Sequence, residues 1–233
     1  MTKPNFHIFE ILVGITFRNF KLLEQAFTHR SYLNENVKSD TGHNERLEFL
    51  GDAVLELVIT DYLFHRYPNK TEGDLTAYRA ALVNTVTLAQ TAADIGMNDY
   101  LLLSRGEAKD NGRARQVILA NTFESLIGAL YLDQGFETAG GFIKKYLTPR
   151  AEAVIAERRS QDAKSYFQER GQAISDLTPR YELLRETGPD HDKIFTVGLY
   201  LGKELVATGS GHSKQEAEQA AARDGLSRRG WTE

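Results

Sequence analysis

Asn44–Leu55, NERLEFLGDAVL, is the stretch on which the reading of this 233-residue chain turns. It reads as a helix in which Glu45, Glu48 and Asp52 fall at i, i+3 and i+7, so at roughly 100° per residue they share one stripe. Leu47, Leu50, Val54, Leu57 and Val58 fall on the opposite stripe, the side that a packed core takes. Three acids on one stripe repel one another, raise one another's pKa and cost stability unless a cation sits among them. Taken alone, such spacing is more often the solvated face of an amphipathic helix, since most helix charges are simply exposed.

The motif itself carries more than the spacing. NERLEFLGDAVL resembles the signature segment of the ribonuclease III family, magnesium-dependent endoribonucleases specific for double strands. AFTHRSYLNEN (Ala26 to Asn36), EGDL with RAALVNTVTLA (Glu72 to Ala89), RGE (Arg105 to Glu107) and FESLIGALYLDQG (Phe123 to Gly135) match the same family in order and approximate spacing. The C-terminal part resembles the double-stranded-RNA-binding domain of bacterial members, so the resemblance covers almost the whole chain.

Composition sets bounds. Hydrophobic residues at 41% and charged residues at 26% suit a soluble globular protein of one or two domains. Without cysteine there is neither a disulfide framework nor a thiolate metal site, which excludes a zinc-finger mode of binding. Glu10 interrupts the apolar run near the amino terminus and no run of about 18 apolar residues occurs, so neither a signal peptide nor a membrane span is expected, and a cytoplasmic location is. A net charge of −4 runs against a general affinity for polyanions. From Ser160 onward ten Lys and Arg face twelve Asp and Glu. Phosphate contacts must then come from local cations and helix termini.

The pattern from Phe6 to about Arg150 is helical, with turn signals at Gly14, 37–42, 68–73, Gly96 and 104–112, and predicts an all-α domain over residues 1–155. Thr71 and Asp74 fit a helix cap, and Leu75, Leu82, Val83, Val86 and Leu88 supply buried positions behind it. A second long helix is expected from near Gln116, with Phe123, Leu126, Ile127 and Leu130 on its core face. Residues 161–231 change rhythm to α-β-β-β-α, a small α+β domain. A helix over about 162–172 precedes strands at 180–187, 194–201 and 204–208, with Gly202-Lys203 as a hairpin turn. Ser213 and Glu216 then open a last helix whose alanines pack.

The resemblance implies a metal site made by Glu48, Asp52, Asn121 and Glu124, with Asp52 and Glu124 as the leading catalytic residues. Glu45 and Glu72 match acidic positions in supporting roles. Hard oxygen ligands suit Mg2+, with Mn2+ able to substitute. Asn121 departs from the family's A-D-x-x-E pattern, since its amide oxygen can ligate but brings no charge. Glu56, one turn beyond Asp52 and outside the motif, reads as surface. His29 reads as structural, and no Walker-type loop implies a nucleotide.

In the second domain the resemblance places RNA contacts at Ser165, Gln168 and Gln172 on the first helix, at His191 in the loop between the first two strands, and at Ser213 and Lys214 opening the last helix. Only Lys214 is basic where the family often has three basic residues. The family acts as a homodimer through the nuclease domain, and apolar residues of the signature helix not needed by the intrachain core, Phe49 among them, suit an isologous interface. Three outcomes stay open at this point: an endoribonuclease giving 5′-phosphate and 3′-hydroxyl ends with short 3′ overhangs, processing precursors such as rRNA and mRNA; an RNA-binding protein that does not cleave, or cleaves weakly, because of Asn121; and, behind both, an all-α scaffold whose attached domain mediates protein contacts.

Overall fold

The computed structural model describes residues 3–37, 39–109, 112–155, 163–189 and 192–231, in two units, Met1–Ile155 and Ala156–Glu233. At the centre of the first unit two 22-residue helices, α4 (Glu45–Arg66) and α7 (Arg113–Gln134), cross in backbone contact. Glycines make that approach possible: a Cβ on Gly51 would lie 1.7 Å from the Glu124 carbonyl oxygen, and one on Gly128 would lie 2.2 Å from that of Leu47. Any side chain at either position would force the helices apart.

The remaining helices are α1 (Phe6–Val13), α2 (Phe20–Ala26), α3 (Arg30–Glu35), α5 (Glu72–Leu82), α6 (Thr85–Asp94) and α8 (Phe136–Leu147). α2, α6 and α8 pack on α7, while α5 and α8 pack on α4. Phe6, Phe9, Phe27 and Tyr100 form an aromatic cluster under α1, with ring centroids 4.9–6.2 Å apart. Local chemistry sets the ends. Gly14 caps α1 at φ 73°, and Thr71 with Asp74 forms a reciprocal capping box on α5. Asp133 accepts the otherwise orphaned N–H groups of Arg18 (2.8 Å) and Asn19 (2.7 Å).

Three sequence expectations change here. The buried arc of α4 runs through Leu47, Gly51, Val54, Leu55, Val58 and Ile59, whereas Leu57 is 58% exposed. The close-approach glycine turns the helix so that Gly51, not Leu57, faces α7. Val86, in the first turn of α6, is likewise exposed. α7 begins at Arg113, one turn before the expected start, while Phe123, Leu126, Ile127 and Leu130 are all buried.

In the second unit α9 (Ala163–Ser175) precedes β1 (Pro179–Thr187), β2 (Ile194–Leu201) and β3 (Glu204–Gly211), an antiparallel sheet in the order β1-β2-β3, and α10 (Lys214–Arg229) closes it. Gly202 turns the β2–β3 hairpin at φ 62°. β3 runs to Gly211, past the expected Thr208, because Gly209 and Gly211 let α10 settle against the strand. A Cβ on Gly209 would meet the Ala221 nitrogen at 2.1 Å. Ala217, Ala221 and Ala222, all fully buried, are the matching small residues of α10. Phe167, Leu199, Leu201, Val206 and Leu226 fill the core between them. Among the described residues no helix is long and apolar enough to cross a membrane.

Candidate functional site

The α4–α7 crossing decides which side chains meet. Gly51 lies against the backbone of Glu124, so Asp52 and Glu48 on α4 flank Glu124 and Asn121 on α7. The Asn121 side-chain amide lies near the Glu48 carboxylate and lowers that group's pKa. Burial outweighs this and, with the charges of Glu45 and Asp52, lifts Glu48 above its ordinary value. Glu124 is lifted further, from 4.5 to about 8, by burial first and then by the charges of Asp52, Glu48 and Glu56. Acids from two helices far apart in sequence thus share one electrostatic environment.

The ends of the acidic stripe on α4 are neutralised and its middle is not. Arg30 of α3 lies 3.3 Å from Glu45, and Arg79 of α5 lies 2.8 Å from Glu56. Among the described residues Glu48, Asp52 and Glu124 have no cationic partner. The first turn of α4 is held by buried polar groups. Asn44, 3% exposed, takes its place through Nδ2 to the Ala26 carbonyl (3.1 Å) and its N–H to that of Thr28 (3.0 Å). The Ser125 hydroxyl donates to the Asn44 carbonyl (3.3 Å), tying α7 to the same turn. Each such bond contributes about 1 kcal/mol, and more is lost if a buried partner is left unsatisfied.

Three carboxylates and an amide oxygen form a hard, oxygen-only donor set, the chemistry that Mg2+ takes. Among the described residues no three His, Asp or Glu side chains converge tightly enough to form a metal-binding group by themselves. The backbone crossing at Gly51 nonetheless sets the α4 acids against the Glu124 turn of α7. Glu124 is raised by burial first and then by the charges of Asp52, Glu48 and Glu56, so these acids stand near enough to feel one another. In donor chemistry, three carboxylates and an amide oxygen, this set is of the kind a divalent ion takes.

Glu45 is exposed and paired with Arg30, and acts on Glu48 rather than Glu124. Glu72, in the first turn of α5, accepts a bond from Thr76 (3.2 Å) and lines a groove between α4 and α5 with Thr60, Phe64 and Arg79. Glu56, read as surface, is 38% exposed; it is also paired with Arg79 and felt by Glu124. Its i+4 spacing from Asp52 was the available signal, but the partner 23 positions on in sequence was not visible. His29 accepts the Ser31 N–H (3.3 Å), and burial lowers its pKa, in keeping with a structural part.

In the second unit Ser165, Gln168 and Gln172 are exposed along one face of α9. Lys214 is exposed at the first position of α10, whose N-cap is Ser213. The Ser213 hydroxyl accepts the Glu216 N–H (3.1 Å), while the Glu216 carboxylate takes the His212 N–H (2.9 Å) rather than that of Ser213. His191 lies outside the described residues.

Two family models match the chain: Ribonuclease-III-like over residues 19–151 and double-stranded RNA binding motif over residues 163–228. Ribonuclease 3 of Bacillus cereus (strain AH187) is 46% identical over 221 residues, covering 95% of this chain and 90% of that protein. Ribonuclease 3 of Bacillus anthracis (strain CDC 684 / NRRL 3495) shows the same identity and coverage. Among solved structures, the ribonuclease III nuclease domain of Campylobacter jejuni, described for flexibility in a region involved in dimer formation, is 39% identical with a TM-score of 0.55. That match covers 62% of this chain and 99% of that one. With both units matched, and relatives this similar along nearly its full length, the chain belongs to the ribonuclease III family of endoribonucleases, which generally depend on a divalent metal.

Proposed function

We propose that this protein hydrolyses phosphodiester bonds of double-stranded RNA with Mg2+, with Mn2+ able to substitute, leaving 5′-phosphates and 3′-hydroxyls with short 3′ overhangs. Its substrates are structured precursors such as rRNA and mRNA in the cytoplasm. The observation that carries this is the trio Glu48, Asp52 and Glu124, set together by a glycine crossing and without a cationic partner among the described residues. Glu48, Asp52, Glu124 and the Asn121 amide oxygen would hold the ion. When bound, a divalent ion activates water and stabilises charge building on the phosphate and the departing alkoxide.

The chain's own residues set the rest. Asp52 and Glu124 face the reacting phosphate and are the leading catalytic residues. The Asn121 amide orients the Glu48 carboxylate. Glu45 and Glu72 stand further out, at the first turns of α4 and α5, in supporting, substrate-facing roles. Retention of the three carboxylates favours cleavage over binding alone.

RNA is held by the second unit. Ser165, Gln168 and Gln172 present hydrogen-bonding groups to 2′-hydroxyls in the shallow minor groove, and Lys214 with the α10 N-terminus meets phosphate. His191 would contact a neighbouring minor groove. Exposed Phe49 (81%), Leu57 and Phe64 on α4 suit an isologous homodimer interface of the nuclease units.

Labelled duplex RNA incubated with protein and Mg2+ tests the reading. Wild type cuts, whereas Glu124→Ala binds the same duplex within about twofold but does not cut. Cleavage by Glu124→Ala at the wild-type rate would remove the site. Binding without cutting by wild type, with cutting restored by Asn121→Asp, would leave an RNA-binding protein.

A further inference from the structure

From Ser160 onward twelve acids face ten bases, so the placement of each cation on the RNA-facing helices counts. Two of these cations stand where α9 meets α10. Lys214 is exposed at the first position of α10. Glu218 follows at i+4 on the same stripe, so an unpaired carboxylate there would lie about one turn below any phosphate that Lys214 holds. Glu218 is paired. The Lys164 ammonium, from the first turn of α9, forms an ion pair with it and lies 5.0 Å from the centre of the Tyr181 ring. The Lys164 N–H, a donor left over at the start of α9, is taken by the Gln219 side-chain oxygen at 3.2 Å. Adjacent residues of α10 thus hold both the backbone and the side chain of Lys164. The next residue, Ser165, begins the exposed face of α9 that Gln168 and Gln172 continue.

We propose that Glu218 is a built-in restraint on RNA affinity: it holds the Lys164 ammonium away from phosphate, and Lys164 in turn keeps Glu218 from repelling the RNA backbone that Lys214 meets. This rests on the reading above that α9 and the opening of α10 hold duplex RNA. Paired, the two charges cancel and leave Lys214 as the cation of that edge. Glu218→Gln frees Lys164 and adds one positive charge beside the RNA. Lys164→Gln bares Glu218 and adds one negative charge on the Lys214 stripe. A freed cation that meets one phosphate raises affinity by about three- to tenfold and steepens the fall of log affinity with log salt by about one.

The test is a four-protein cycle of wild type, Glu218→Gln, Lys164→Gln and the double variant. Glu204→Gln is the control, since Glu204 pairs with Arg229 at the opposite end of α10. Binding of a labelled RNA duplex to the full chain is followed by fluorescence anisotropy in chelator over a range of KCl, and thermal unfolding reports folding. Glu218→Gln tightens binding about three- to tenfold and steepens the salt slope by about one. Lys164→Gln weakens binding by a similar factor, and the double variant returns to within about twofold of wild type. Glu204→Gln, more than a Debye length away, stays within about twofold. If Lys164→Gln unfolds, Glu218→Gln still decides, because failure to tighten overturns the proposal. A merely structural tie between α9 and α10 would weaken binding in both single variants, and that result overturns the proposal, as does an equal rise in Glu204→Gln. Absence of duplex binding by wild type would overturn the RNA-holding reading together with it. A binding wild type with a flat cycle removes the restraint alone.

Discussion

Gly51→Ala adds one methyl group at the α4–α7 crossing, and its effect follows from distance. The new Cβ would lie 1.7 Å from the Glu124 carbonyl oxygen and 2.6 Å from its carbon, where ordinary contact begins at 3.4 Å. Both neighbours are backbone atoms, so no side-chain rotation relieves the clash and the helices must separate by about 1.5 Å. Overpacking of this kind costs about 1–3 kcal/mol when side chains can adjust, and here they cannot. Alanine returns about 1 kcal/mol of helix propensity. The net expectation is a loss of about 3 kcal/mol. The matched control is Gly141→Ala in α8, where a Cβ meets nothing within 4 Å and only the propensity gain of about 0.5–1 kcal/mol remains. Urea unfolding followed by far-ultraviolet circular dichroism compares the two. Because the separation also carries Glu48 and Asp52 away from Glu124, cleavage by folded Gly51→Ala should fall by more than about tenfold. If Gly51→Ala proves as stable and as active as Gly141→Ala, the backbone crossing does not position the site.

Four further expectations follow from particular groups. Glu124 titrates at about 8 in the folded protein against an ordinary 4.5, so its stabilising effect is complete below 4.5 and is lost as pH rises toward 8. Unscreened, that loss is about 3 kcal/mol near neutral pH, and solvent exposure reduces it to about 1–2 kcal/mol. Metal-free Glu124→Gln should therefore unfold at higher urea than wild type near pH 7, with the gap closing at pH 4. Asn121→Asp restores a charge and should lower the Mg2+ concentration for half-maximal cleavage by about three- to tenfold in a titration. Phe49→Arg places a charge on the exposed apolar arc of α4 and should convert a sedimenting dimer to monomer. The Tyr181 hydroxyl is buried without a hydrogen-bond partner among the described residues, and burial raises its pKa. Tyr181→Phe should leave stability unchanged or raise it by up to about 1 kcal/mol in thermal unfolding.

Much of this protein was decided by neighbours in sequence. The apolar face of α7, the Thr71–Asp74 capping box and the β2–β3 hairpin at Gly202 depend on residues within a turn or two of one another, and periodicity displays them. The acidic stripe of α4 was equally plain. Its meaning was not, because the same spacing serves a solvated face. Only the tertiary structure, by bringing two glycine-marked helices into backbone contact, set Glu124 beside Glu48 and Asp52, turned Leu57 outward, and delivered Arg79 to Glu56. Those outcomes depend on how two helices cross. A crossing is chosen by the fit of whole surfaces, which no local run of residues encodes.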